Sequence, residues 1–132
     1  MAGVLMSGRI TKPPAAIRIL LVDDSPNMLR TLTSFFSTAG CDVRVALSAE
    51  YAEVHMSAPE KIDAIICDGL GSDWQRVAYV AEEADTPILI YSGAARVISE
   101  AEHCGLPALL KASPGEHEAL LAFVRDAVWG HR

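Results

Sequence analysis

The sequence contains no cluster of Lys or Arg residues. Its 132 residues include 11 Lys and Arg against 17 Asp and Glu, which gives a formal net charge of −6. A surface that binds nucleic acid needs a basic patch that can neutralise phosphates. We therefore expect no nucleic-acid partner for this chain.

Long apolar runs are also missing. No segment approaches the roughly 20 apolar residues with which a helix spans a bilayer. Near the start of the chain, Val4, Leu5 and Met6 form a run too short for the apolar region of a signal peptide. We expect a cytoplasmic protein that has no membrane partner.

The cysteines match no metal site. The three cysteines are Cys41, Cys67 and Cys104, an odd number without metal-binding spacing. Free cysteines in apolar surroundings behave as small hydrophobic residues. This usage favours a reducing compartment, which agrees with the expected cytoplasmic location.

The residues that are present predict one globular domain. Apolar residues make up 51% of the chain and charged residues 21%, which suits a single hydrophobic core at this length. Residues 1–16 mix Gly, Ser, Lys and a Pro-Pro pair without periodicity, and this predicts a mobile N-terminal tail. The domain is expected to occupy residues 17–132.

Strand and helix patterns alternate along that domain. Apolar runs bounded by turn residues predict strands at residues 17–22, 42–46, 64–67, 86–91 and 106–110. Helical spacing is expected after each strand, with serine caps at Ser25 and Ser48 and a capping box from Ser113 to Glu116. Such alternation is typical of a parallel sheet with helices on both faces, joined by right-handed crossovers.

Polar residues end four of the predicted strands. They are Asp23 and Asp24, Asp68, Ser92, and Lys111. The carboxyl ends of parallel strands share one edge of the sheet, where open α/β sheets bind their ligands. Three carboxylates there would repel one another unless a cation lay among them, and oxygen ligands suit Mg²⁺. Because a hydroxyl and an ammonium complement a phosphoryl group, the set predicts Asp68 as a nucleophile that accepts phosphoryl.

Four motifs carry a family resemblance. They are residues 19–25 (Ile-Leu-Leu-Val-Asp-Asp-Ser), 65–68 (Ile-Ile-Cys-Asp), 90–93 (Ile-Tyr-Ser-Gly) and 109–111 (Leu-Leu-Lys). On these motifs the chain resembles the receiver domain of response regulators, the CheY-like domain of bacterial two-component signalling, over about residues 17–128. The resemblance implies a flavodoxin-like, doubly wound sheet of five parallel strands in the order 2-1-3-4-5.

The resemblance also implies a role for each polar strand end. Asp68 would accept a phosphoryl group from the phosphohistidine of a sensor histidine kinase or a histidine phosphotransfer protein. The implied Mg²⁺ ligands are Asp23, Asp24, Asp68 and the backbone carbonyl of Leu70. The implied phosphate-binding groups are the Ser92 hydroxyl, the Gly93 N–H and the Lys111 ammonium. A stand-alone receiver of this kind is not an enzyme and signals through a downstream protein, with a homodimer left open.

Some positions depart from the family pattern. A Gly-rich loop, residues 69–73, followed by Trp74 replaces the usual Met-Pro pair after the acceptor, and Trp74 is expected near that loop. Ala108 stands where the family carries an aromatic switch residue, and Ala112 stands where it carries proline. The family's usual coupling between hydroxyl and aromatic residue therefore cannot operate here.

Two apolar residues bear on how long a phosphoryl group would survive. In the family, the residues at the positions of Leu70 and Ala94 flank the water that hydrolyses the acyl phosphate. Neither side chain can orient a water molecule by hydrogen bonding. We therefore expect slow self-dephosphorylation.

Two other functions compete with this one. The altered loop and Ala108 favour a pseudo-receiver that binds partners without phosphorylation, whereas the complete set of polar strand ends opposes it. A metal-dependent phosphohydrolase would typically carry its aspartate nucleophile on the first strand, with a second acid two residues later. The run Asp23-Asp24-Ser25-Pro26 does not fit that pattern.

Overall fold

The computed structural model describes residues 4–6, 9–11 and 16–130. The first two segments are short strands, β1 (Val4–Met6) and β2 (Arg9–Thr11), which pair with each other in antiparallel fashion. They lie within the segment for which the sequence predicts a mobile tail, and the rest of that segment up to residue 15 lies outside the described residues. The domain boundary near residue 16 stays a prediction.

The remaining strands form one parallel sheet. They are β3 (Arg18–Val22), β4 (Asp42–Ala46), β5 (Ala64–Cys67), β6 (Ile88–Ser92) and β7 (Ala108–Leu110). The spatial order is β4-β3-β5-β6-β7, with every neighbouring pair parallel. Counted from the first strand of this sheet, the order is 2-1-3-4-5, so the predicted flavodoxin-like fold is confirmed.

Within the described residues, five helices cover the two faces of the sheet. They are α1 (Pro26–Thr38), α2 (Ala49–Ser57), α3 (Trp74–Glu83), α4 (Ala95–His103) and α5 (Glu116–Trp129). One apolar core packs α1 and α5 against the sheet, and a second packs α2, α3 and α4 against the opposite face. Among the described helices, none combines the length and the apolar character needed to cross a bilayer.

The central strands are apolar on both faces because both faces are covered. In β3, Leu20 and Val22 join the core under α2 to α4, while Ile19 and Leu21 join the core under α1 and α5. All four side chains are at most 1% exposed. A continuous apolar run is therefore what this position in the sheet requires.

Proline sets the starts of two strands. Strands β6 and β7 each begin two residues later than predicted, directly after Pro87 and Pro107. The carbonyl oxygens of these prolines accept hydrogen bonds from Ile65 and Ile90, but proline has no N–H to donate in return. The regular ladder consequently starts at the residue that follows each proline.

Two of the three predicted serine caps are confirmed. The hydroxyl oxygens of Ser25 and Ser48 accept hydrogen bonds from backbone N–H groups in the first turns of α1 and α2. The capping box at Ser113 is wrong, because α5 begins at Glu116 after Gly115, which has a φ of 68° and supplies no side-chain cap. The Ser113 hydroxyl instead donates to the carbonyl of Leu110 (2.7 Å).

Candidate functional site

Three carboxylates meet where β3 and β5 end, at what we call the carboxyl edge of the sheet. Asp23, Asp24 and Asp68 each place an oxygen within 4.8 Å of the other two. The strand ladder continues one residue past each strand, since Asp23 N donates to the Ala46 carbonyl (3.0 Å) and Asp68 N to the Val22 carbonyl (2.7 Å). The sheet itself therefore holds the two backbones side by side.

Lys111 is brought to the same edge by β7. Its backbone N–H donates to the carbonyl of Ser92 (2.8 Å), which extends the pairing of β6 with β7 by one residue. Its ammonium then donates to Asp23 Oδ2 (2.8 Å) and Asp68 Oδ1 (2.7 Å). One cation thus bridges two of the three carboxylates.

Backbone groups hold the other oxygens of those two carboxylates. Asp23 Oδ1 accepts from the N–H of Ser25 (2.9 Å), and Asp68 Oδ2 accepts from the N–H of Leu70 (2.9 Å). Each carboxylate is therefore fixed in rotation by one ammonium and one amide. Asp24 is exposed and completes the cluster from the solvent side.

The charges of this cluster do not balance. Burial raises the pKa of Asp23 despite the hydrogen bond from Lys111, and the charge of Asp68 adds to that rise. Burial would lower the pKa of Lys111, but its hydrogen bonds to the two aspartates raise it overall. Among the described residues, three carboxylates face one ammonium, so a hard divalent cation with oxygen ligands fits the remaining negative charge.

Ser92 lies at the end of β6 beside the loop that follows Asp68. It is 4% exposed, and its hydroxyl oxygen accepts from the N–H of Ala94 (3.1 Å). A Cβ atom built on Gly69 would lie 3.3 Å from this hydroxyl oxygen and 3.2 Å from the nearer methyl carbon of Val97. Glycine at position 69 therefore lets the loop approach the hydroxyl closely. The phosphate-binding role predicted for Ser92 and for the exposed Gly93 stays a prediction.

The loop after Asp68 has a strained backbone. Leu70 and Gly71 have φ values of 50° and 69°, in the left-handed region. For leucine this conformation costs roughly 1–2 kcal/mol, and strain of this kind concentrates at functional sites. The Leu70 carbonyl accepts from the N–H of Asp73 (3.1 Å), so its role as a metal ligand stays a prediction.

Trp74 lies against this loop, as predicted. Its backbone N–H donates to the carbonyl of Gly69 (3.2 Å), and its side chain is 1% exposed. The other tryptophan, Trp129, is 51% exposed on α5. Trp74 is therefore positioned to report changes in the Asp68 loop.

Tyr91 is a site neighbour that sequence reasoning missed. The Lys111 ammonium lies 5.5 Å from the centroid of its ring, within the range of a cation–π contact. Its hydroxyl donates to the carboxylate of Glu116, the first residue of α5. Burial, followed by this hydrogen bond, raises the pKa of Tyr91 above its ordinary value of 10.0. The signal was a tyrosine within a fully buried strand, because a buried tyrosine hydroxyl usually has a partner.

With this geometry established, comparisons with known proteins add the class of fold. No protein-family model and no curated protein matches the sequence. Solved structures do match. A response regulator receiver protein from Sinorhizobium medicae superposes with a TM-score of 0.74 at 27% identity, covering 86% of this chain and 94% of that one. The chemotaxis protein CheY4 of Vibrio cholerae matches with a TM-score of 0.65 at 22% identity, covering 82% and 97%.

The resemblance to response regulator receiver domains is thereby confirmed, and the chain has their fold. A de novo designed Rossmann 2x3 fold protein also matches, with a TM-score of 0.69 at 12% identity over 85% of this chain and 92% of that one. One fold can host unrelated functions. The residues of the carboxyl edge, rather than the fold, must therefore support any statement about chemistry.

Proposed function

We propose that this chain is a receiver whose Asp68 accepts a phosphoryl group from the phosphohistidine of a sensor histidine kinase or a histidine phosphotransfer protein. The observation that carries the proposal is the Lys111 ammonium held between Asp68 and Asp23, with Asp24 beside them. A lysine and an excess of carboxylates around one half-buried aspartate suit a carboxylate that must react with a phosphoryl group.

The two hydrogen bonds of Asp68 support its proposed role as the nucleophile. Lys111 and the Leu70 N–H fix its carboxylate plane, while its side chain stays 15% exposed to an incoming donor. One of its oxygens forms the new P–O bond as the P–N bond to the donor histidine breaks. The freed imidazole nitrogen then takes up a proton, and Asp68 becomes a mixed anhydride.

The acidic cluster suits Mg²⁺, which would be held by Asp23, Asp24 and Asp68, with the carbonyl of Leu70 as the further predicted ligand. When bound, Mg²⁺ neutralises negative charge on the phosphoryl oxygens. The protein's own contribution is to hold Asp23 through Ser25 N–H and Asp68 through Leu70 N–H, so that both carboxylates keep their orientation.

Three groups would receive the phosphoryl oxygens. The Ser92 hydroxyl oxygen already accepts from Ala94 N–H, so its own proton remains free to be donated. Lys111 supplies a second donor, and the exposed Gly93 N–H supplies a third. With apolar side chains at Leu70 and Ala94, we propose slow self-dephosphorylation and a signal passed on by protein contact rather than by turnover.

Intact-mass measurement after incubation with Mg²⁺ and acetyl phosphate tests this proposal, with Trp74 fluorescence followed in parallel under beryllofluoride. We expect one phosphoryl group per chain and a fluorescence change, both absent from D68N. A W129F variant assigns the fluorescence change to Trp74, because Trp129 is exposed. No adduct would support the pseudo-receiver, and continuous phosphate release would support the hydrolase.

A further inference from the structure

Resting on the proposed function, we propose that Tyr91 is a positioning residue that links Lys111 to the first turn of α5. Phosphorylation of Asp68 would then change the hydrogen bond between Tyr91 and Glu116. The structure supplies each contact of this route: Lys111 to Asp68, Lys111 to the Tyr91 ring, and the Tyr91 hydroxyl to the Glu116 carboxylate. None of these contacts uses the position of the family's aromatic switch, where this chain has Ala108.

The ring of Tyr91 is a rigid part of this route. It is 1% exposed and packs in the core that lies between the sheet and helices α1 and α5. Close packing leaves such a ring little room to turn without moving its neighbours. A displacement at its Lys111 side is therefore transmitted to its hydroxyl end.

Lys111 must change partners when Asp68 is modified. Its ammonium now donates to a carboxylate oxygen of Asp68. Phosphorylation removes the negative charge of that carboxylate and places more strongly charged phosphoryl oxygens beyond it. The ammonium then moves toward the phosphoryl oxygens, and this movement changes its position relative to the Tyr91 ring.

The first turn of α5 depends on Tyr91 for a tertiary hydrogen bond. Its N-cap is Gly115, which gives no side-chain cap, so Tyr91 supplies a tertiary hydrogen bond to the first residue of the helix. The connection from Lys111 passes through Ala112 and Gly115, with φ values of 70° and 68°. For alanine, the left-handed conformation is costly, so a different arrangement of this connection would relieve strain.

The route lies on the opposite face of the sheet from Ala108. Ala108 packs against the core under α2, α3 and α4, whereas Tyr91 belongs to the core under α1 and α5. An aromatic residue thus couples the site to a helix here too, but from β6 and toward α5. The partner that reads the signal would accordingly contact the start of α5.

Amide NMR of residues 116–119, with and without Mg²⁺ and beryllofluoride, tests the proposal. In the unsubstituted protein we expect these amides to shift when the adduct forms. In Y91F the ring remains under Lys111 and the adduct still forms, but the shifts are lost because the hydroxyl is gone. E116Q retains an acceptor and should retain the response, whereas E116L should lose it. Y79F is the control, since Tyr79 is exposed on α3.

A second arm needs no phosphoryl group. D68N removes one of the two carboxylate charges that hold Lys111, the other being that of Asp23. It should therefore shift the same amides when Tyr91 is present and fail to do so in the Y91F background. If the unsubstituted protein forms no adduct, the proposed function is wrong. The D68N comparison still tests whether Tyr91 couples Lys111 to the start of α5. If adduct formation or D68N shifts the amides as much in Y91F as in the protein with Tyr91, the proposed coupling is wrong, while the proposed function stands.

Discussion

The two edges of the sheet both carry ion pairs, but they differ in charge balance and burial. At the amino edge, where the strands begin, Asp42 pairs with Arg18 (2.9 Å) and Arg44 (3.3 Å). Asp63 accepts from the backbone N–H of Arg18 (2.8 Å). Among the described residues, two carboxylates thus lie with two arginine side chains there, whereas at the carboxyl edge three carboxylates surround the ammonium of Lys111.

Exposure separates the edges further. The side chains of Asp42 and Arg18 are 34% and 27% exposed, so water screens their attraction and leaves a modest contribution to stability. Those of Asp23 and Lys111 are 4% and 19% exposed. Solvent-exposed pairs of balanced charge, as at the amino edge, are compatible with a purely structural role. A partly buried excess of negative charge costs stability, and it is expected where a cation and an anionic ligand bind.

The largest expected difference is in the response to Mg²⁺. Mg²⁺ in about 100-fold excess over its dissociation constant should raise the free energy of unfolding by about 2.7 kcal/mol, because the proposed site exists only in the folded protein. Thermal unfolding with Mg²⁺ and with a chelator measures this. D24N should lose most of the gain, and D63N, at the balanced edge, should keep it. Equal gains in both variants would contradict the comparison.

Removing one cation from each edge should have unequal effects. K111M leaves Asp23 buried without its ammonium, and without Mg²⁺ this should destabilise the protein by about 2 kcal/mol. R44M removes an exposed pair in which Asp42 keeps Arg18, so its effect should stay below about 1 kcal/mol. Urea unfolding of the two variants gives the comparison. The contrast between the two edges is contradicted if R44M lowers the free energy of unfolding as much as K111M does.

Removing one carboxylate from each edge should change the free energy of unfolding in opposite directions. In the absence of Mg²⁺, D24N relieves repulsion within the cluster and should stabilise the protein by about 1 kcal/mol or less. D63N weakens the acceptor of the Arg18 N–H and should slightly destabilise it. Denaturant midpoints in chelator report both, and a loss of stability in D24N would show that the carboxyl edge carries no excess charge.

The sequence predicted the strands and the residues at their ends because both depend on local pattern and on the geometry of parallel sheets, whereas the strand order followed from the resemblance to receiver domains. Asp23, Asp24 and Asp68 meet because the three residues follow neighbouring strands. The connections were less predictable. The hydroxyl of Ser113 bonds to a carbonyl behind it instead of capping α5, and the left-handed conformation of Leu70 has no signature in its residue type.

The Tyr91–Glu116 contact was missed for a related reason. It joins a strand to a helix across 25 residues, so no local spacing indicates it. The sequence marks both residues as polar groups that need partners, but only the packing of α5 on the sheet decides which partner each one finds. Contacts of this kind depend on tertiary structure, whereas strand ends depend on topology.

The smallest expected effect concerns acid stability at the amino edge. Hydrogen bonds from Arg44 and Arg18 lower the pKa of Asp42 below its ordinary value of 3.8. Because the folded-state pKa is the lower one, this stabilisation is fully present above the unfolded value and is lost as the pH falls through the folded value. Asp42 is 34% exposed, so the loss should amount to less than about 1 kcal/mol. D42N should remove this part of the acid dependence of unfolding, measured from pH 6 downward, and an unchanged profile would show that the pair at the balanced edge contributes nothing.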